Sequence, residues 1–208
     1  MYNELLKQYP MLTVCDKEIK QAIDALITCY EAGGKVLLCG NGGSCANCDH
    51  IAGELMKGFL KQRPLSAEKK ACMRAASPLL DEAMLTRLQG SLPAISLPAM
   101  TALNTAFSND VDAELIYAQA ILGLGRRGDV LIALSASGNA KNVAAAVAVA
   151  KALGITVIGL TGEEGGALAR AADIAICVPA CRTYRVQELH LPVYHYICAA
   201  VEAHFFHA

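Results

Sequence analysis

The sequence predicts an α/β protein built on a parallel sheet with helices on both faces. Three observations carry this. Short apolar runs alternate with longer stretches of helical periodicity. Two of those runs end in small, polar, glycine-bearing loops that lead straight into a helix. The apolar content is 54% of 208 residues, with 5% aromatics and no Trp, a mixture that suits helices packed around a buried sheet.

From Asp16 to Ala32, Ile19, Ala22, Ile23, Leu26 and Ile27 share one helical face, and Gly33-Gly34 ends the helix. Lys35–Cys39 reads as a strand. It enters Gly40-Asn41-Gly42-Gly43-Ser44, and a helix follows to about Leu60. Within residues 65–92, Ala67–Ala75 and Leu79–Leu88 form an inserted helical pair, readable as a packing or oligomer element or as a lid. Ala94–Leu97 is a second strand, followed by helices near Thr101–Phe107 and Ala113–Leu124. Asp129–Leu134 is a strand, Ser135-Ala136-Ser137-Gly138-Asn139 a loop, and Lys141–Leu153 a helix. Ile155–Leu160 and Asp173–Val178 are further strands, separated by Thr161–Gly166 and a short helix, and a long helix runs to about Phe206. One domain over 1–208 is expected, with a helical segment at about 1–33 and an insertion at about 65–92.

The formal charge is −1 and no block of like charge stands out, which argues against a nucleic-acid binder. An anionic small ligand remains open, because helix N-termini bind phosphate without net basicity. No uncharged apolar run is long enough for a membrane span. The opening MYNELLKQYP is unlike a secretory leader, so a cytoplasmic protein is expected. Its nine cysteines then read as reduced thiols. Cys45-x-x-Cys48 and the Cys177/Cys181 pair leave a four-thiol zinc site as the lesser alternative.

The two loops carry the chemistry. Gly42 and Gly43 let the backbone approach a ligand, the next helix presents free N–H groups, and Ser44 adds a hydroxyl. Ser135, Ser137, Gly138 and Asn139 repeat that logic at a second strand end, the edge where open α/β sheets bind ligands. Neither loop matches GxxxxGK[ST] or GxGxxG, so no nucleotide cofactor is expected. His50 and Glu54 lie four apart and share a helical face. Such a pair can bind zinc, supply a base, or simply be a solvated polar contact. His190 and His195 lie in a largely apolar helix and need partners there. His204 and His207 carry no functional weight.

KVLLCGNGGS, His50-x₃-Glu54, Asn109-Asp110, SASGN, VIGLTG and VQELH…H occur in that order. Together they resemble the sugar isomerase (SIS) domain, and within it the phosphoheptose isomerase group, over nearly the whole chain outside 65–92. The resemblance implies a flavodoxin-like three-layer sandwich and a phosphosugar aldose–ketose isomerase. The implied reaction takes sedoheptulose 7-phosphate to D-glycero-D-manno-heptose 7-phosphate. It implies phosphate held by Ser44, Ser135 and Ser137, with Asn41, Asp110 and Gln187 near the sugar. Glu54 matches the catalytic carboxylate and His195 the catalytic histidine. His50, Glu54, Gln187 and His195 match a set that holds one zinc per site, and the implied assembly is a homotetramer with sites at subunit interfaces. Ala136, Ala140 and Tyr184 depart from the group's Thr, Ser and Asp, which bears on the exact substrate. Some members of the group are non-catalytic regulators that bind sugar phosphates or protein partners, including the replication-initiator-associated type; they are the second reading. Gln187 and His195, eight residues apart, are roughly 12 Å apart along an ideal helix. Either Gln187 precedes the regular helix or the ligands come from more than one chain.

Overall fold

The computed structural model describes residues 2–206; Met1, His207 and Ala208 lie outside the described residues. In chain order the first half holds α1 (Tyr2–Gln8), α2 (Asp16–Glu31), β1 (Val36–Gly40), α3 (Gly43–Met56), α4 (Ala67–Ala76), α5 (Glu82–Arg87) and β2 (Ala94–Ser96). There follow α6 (Thr101–Phe107), α7 (Ile116–Leu124), β3 (Val130–Leu134), α8 (Lys141–Ala152), β4 (Thr156–Thr161), α9 (Gly166–Ala171), β5 (Ile174–Cys177) and α10 (Thr183–Phe205).

Among the described residues the sheet has five strands in the order β2-β1-β3-β4-β5, with every pairing parallel. Alternation along the strands divides the core. Val36 and Leu38 of β1, with Ile132 and Leu134 of β3, pack toward α2, α3 and α10. Leu37 and Cys39, with Leu131 and Ala133, pack toward α7 and α8 on the other face. Side chains on both faces are almost wholly buried. That is why these strands read as continuous apolar runs rather than as alternating ones. The three-layer α/β sandwich expected from the sequence is therefore present.

Two departures have identifiable causes, one remote and one local. The helix expected to continue to about Leu60 stops at Met56, and Lys57 is extended at φ −135°, ψ 173°. Beyond it, the N–H groups of Phe59, Leu60 and Lys61 donate to the Glu202 carboxylate instead of continuing the helix. The stretch from Ala113 opens as a 3₁₀ turn over Ala113–Leu115 before α7 begins. There the Asp112 carboxylate accepts from the Glu114 N–H.

The order 2-1-3-4-5 has one switch point, between β1 and β3. From these neighbouring strands the chain departs in opposite directions, leaving a crevice beyond their carboxyl ends. Both serine loops leave the sheet there.

Candidate active site

A cleft of about 190 Å³ fills the switch point. Asn41, Ser44, Ser135, Ser137, Thr183 and Gln187 supply its polar lining. Ser44 and Ser135 are buried residues, and Ser137 is exposed. Helices α3, α8 and α10 all begin beside the cleft, and the first turn of each carries N–H groups without intrahelical partners. Their dipoles favour negative charge. No Lys or Arg lines the cleft, so an anion there is held by hydroxyls and main-chain N–H groups.

The glycines make this backbone possible. Gly42 precedes α3 at φ 55°, a conformation that costs an L-residue but not glycine. Gly138 has φ 68°, and a Cβ there would lie 2.1 Å from the Gly165 carbonyl oxygen. Asn139 ties the second loop together: its side-chain amide donates to the Ser137 carbonyl, and its oxygen accepts from the Ala167 N–H. Asn41 exchanges two hydrogen bonds with Asn142 across the switch point, at 2.8 and 2.9 Å. The Tyr117 hydroxyl donates to the Gly40 carbonyl at 2.7 Å and to Asn41 Oδ1 at 3.1 Å.

The cleft opens onto a seam between α3 and α10. At its head the Gln187 amide packs on Gly43, so closely that a Cβ there would lie 2.6 Å from Gln187 Oε1. Two turns along, three of the expected residues meet. His50 Nε2 lies 3.2 Å from Glu54 Oε1 and 3.4 Å from His195 Nε2. The Tyr194 hydroxyl holds the other ring nitrogen, Nδ1, at 2.9 Å. Glu54 is 9% exposed, and the nearest cation is Lys57, whose Nζ is 3.6 Å from Glu54 Oε2. Burial, reinforced by His50, holds His195 below the usual histidine range, against the opposing pull of Glu54. Its imidazole is thus neutral near pH 7 and can pass a proton on one nitrogen. Burial pushes the Tyr194 phenol up to about 12, with Cys198 and Glu54 adding to the shift.

Within one chain the expected residues divide into two groups. Asn41, Ser44, Ser135, Ser137 and Gln187 line the cleft. His50, Glu54 and His195 form the cluster. Gln187 lies inside α10 rather than ahead of it, so the two ends of the expected zinc set are separated by about two helical turns. Asp110 sits in an exposed π-helical turn, Ser108–Asp112, with its Oδ1 accepting from the Asn109 amide. Of the three departures from the resembled group, Ala136 and Ala140 line the cleft. Tyr184 is exposed, with the Arg185 guanidinium over its ring. No residue of the stretch 65–92 lines the cleft or the groove beside His195.

The donor chemistry at the cluster suits zinc: two imidazole nitrogens and a carboxylate oxygen. Donors about 2.0–2.1 Å from a tetrahedral ion lie about 3.3 Å apart, close to the two separations here. Among the described residues, however, no three His, Cys, Asp or Glu side chains are grouped around a common point. His50 Nε2 joins its neighbours pairwise. Burial pushes the Cys39 thiol up to about 12 and the Cys48 thiol well above its ordinary value.

Sequence reading missed Thr183, Asn142, Tyr117 and Tyr194. Thr183, at the start of α10 beside the cleft, was open to discovery as a hydroxyl at a helix start. The others depend on tertiary contacts.

Two SIS-domain family models match the chain, one over residues 99–201 and one over residues 9–90. The phosphoheptose isomerase of Methylibium petroleiphilum is 40% identical over 192 residues, spanning 91% of this chain and 83% of that relative. The phosphoheptose isomerase of Rhodospirillum rubrum is 37% identical over 188 residues, spanning 90% and 86%. Among solved structures, the phosphoheptose isomerase GmhA of Neisseria gonorrhoeae aligns with a TM-score of 0.76 at 30% identity, over 97% of this chain and 95% of that one. With this fold, these loops at the switch point and these relatives, the chain belongs to the SIS-domain family and, within it, to the phosphoheptose isomerases.

Proposed function

We propose that the chain isomerises sedoheptulose 7-phosphate to D-glycero-D-manno-heptose 7-phosphate, with phosphate at the serine loops and the reacting carbons at Glu54 and His195. One observation carries the reading: His50 and His195, 145 positions apart, meet at 3.4 Å beside the Glu54 carboxylate, on a seam that begins at the serine loops. From Gly43 to His50 is about 10 Å along the helix axis. That is about the length of an extended seven-carbon sugar phosphate from phosphorus to C1, at ordinary covalent bond lengths. Side chains lean toward the helix start, so Glu54 reaches back over His50.

In the proposed reaction the Glu54 carboxylate takes a proton from C1 of the ketose and returns it to C2. The neutral His195 imidazole moves a proton between O2 and O1, through an enediol. A zinc ion held by His50, Glu54 and His195 would polarise the carbonyl. Gln187 stays with the cleft in this reading, near the sugar.

The second reading, a sugar-phosphate-binding or partner-binding regulator without turnover, is not favoured, because the relatives are named as enzymes. We also propose a homotetramer. His195 opens into a groove of about 270 Å³ flanked by the exposed Leu60 and Leu191, which a neighbouring subunit would cover. The chain is read as one domain with 65–92 as its helical insertion. A cytoplasmic location is supported by nine free thiols; among the described residues no helix is long and apolar enough to cross a membrane.

The test is a turnover assay on sedoheptulose 7-phosphate, with metal analysis of the wild type and His50→Ala. Turnover is expected, with less bound zinc in the variant. Binding without turnover would favour the regulator.

A further inference from the structure

Arg63 is 1% exposed and Glu202 is also 1% exposed, in a part of the molecule that the isomerase reading leaves without a role. The guanidinium makes three hydrogen bonds. Nε donates to Glu202 Oε1 at 2.8 Å, one terminal nitrogen to the Leu55 carbonyl at 2.6 Å, and the other to the Glu54 carbonyl at 2.9 Å. Glu202 also accepts the N–H groups of Phe59 at 2.8 Å, Leu60 at 2.8 Å and Lys61 at 3.1 Å. The Phe206 ring covers the guanidinium at 4.6 Å.

We infer that Arg63 is a positioning residue for the isomerisation: a strut that holds the backbone of Glu54 at a fixed distance from the helix carrying His195. Its two ends dictate this. One end grips the main-chain oxygen of Glu54 itself, together with that of Leu55, in the last turn of α3. Those carbonyls have no helical partners. The other end grips Glu202, seven residues after His195 on α10. Seven residues are about two turns, so Glu202 and His195 lie on the same side of α10. The strut therefore closes a frame whose other members are the His50–Glu54 and His50–His195 contacts at 3.2 and 3.4 Å.

Stability alone is a poor account of this pair. Desolvating two charges consumes much of what their attraction returns, and well-packed apolar residues often serve a fold as well. Apolar residues, however, do not hold a carbonyl at a set place. Guanidinium does, because its donors form a rigid planar fork. Lysine keeps the charge and loses the fork.

The inference rests on the isomerase reading, and the experiment separates the two. Turnover of sedoheptulose 7-phosphate is measured on folded wild type, Arg63→Lys, Glu202→Gln and Lys35→Met. The last breaks the Lys35–Asp129 pair at the opposite end of the sheet and serves as a control for destabilisation. Arg63→Lys and Glu202→Gln are expected to lose kcat on the order of tenfold or more, as small misplacements of catalytic groups do. Their KM should stay within about twofold, because the phosphate cleft is untouched. Lys35→Met should melt at lower temperature with unchanged kcat. Wild-type kcat in folded Arg63→Lys would overturn the strut. So would an equal loss of kcat in the control. If Arg63→Lys does not fold, Glu202→Gln decides by the same criterion. If the wild type itself shows no turnover, the isomerase reading fails and the strut is judged by the imidazole resonances of His50 and His195. These should shift in Glu202→Gln, and unchanged resonances would overturn it.

Discussion

The Tyr194 hydroxyl lies 2.9 Å from Nδ1 of His50 and 3.5 Å from Oδ1 of Asn47. It fixes the imidazole so that the opposite nitrogen faces Glu54 and His195. A ring nitrogen's role is set by what the other nitrogen binds. Tyr194→Phe should therefore cut kcat by about tenfold, while the lost hydrogen bond costs about 1 kcal/mol of stability. Steady-state kinetics alongside urea unfolding will show whether turnover falls more than stability does.

Glu54→Gln keeps the size of the side chain and removes the proposed base. Turnover should drop by roughly 10²–10⁴-fold, the usual worth of a positioned base, while sugar-phosphate affinity measured by calorimetry stays near that of the wild type. Full activity in this variant would defeat the assignment of Glu54.

At the cleft, Ser137→Ala and Thr183→Ala should each weaken sugar-phosphate binding by about tenfold, the worth of one hydrogen bond to a charged group. Neither should change the melting temperature much, since both side chains are exposed. Unchanged affinity in both would move the phosphate elsewhere.

His190 gives a stability test. It is fully buried; Nε2 lies 3.3 Å from the Thr161 carbonyl oxygen and Nδ1 has no partner among the described residues. Burial lowers its pKa to about 4, against a smaller opposing effect of that hydrogen bond. The unfolded chain takes up this proton near pH 6.5 and the folded chain only near 4. Stability is therefore fully present above about 6.5 and is lost as pH falls toward 4, by up to about 3 kcal/mol. Denaturant unfolding at pH 7.5 and pH 5 should show the loss, and His190→Gln should flatten it.

Much of this molecule was legible because its signals are local. KVLLC and DVLIAL are apolar on both faces since both faces of β1 and β3 are covered, and a glycine-serine loop after each marked the ligand edge. Residues 67–75 betrayed α4 by their periodicity; the structure adds that Ser66 caps it, accepting from the Lys69 N–H. What stayed hidden was set at a distance. The early end of α3 depends on a carboxylate more than 140 positions away, at Glu202. Arg63 and Glu202 read as two unremarkable charges in the chain. The place of Gln187 was legible only as a conflict of lengths along one helix. Which donors sit together follows from how α3 and α10 pack, and no periodicity encodes that.

The seam between α3 and α10 also governs how the chain comes into being. His195, Tyr194 and Glu202 all belong to α10, while their partners lie within residues 47–63. During synthesis the earlier strands and helices emerge first, and the apolar face of α3 with Cys48, Ile51 and Leu55 is only partly covered, by β1 and β2, until residues 183–205 leave the ribosome. Contacts between such remote segments form late and slowly. A nascent chain thus brings His195 to His50 and buries the rest of that apolar face in one docking event. A product truncated before Thr183 would be inert and prone to aggregate, never partly active.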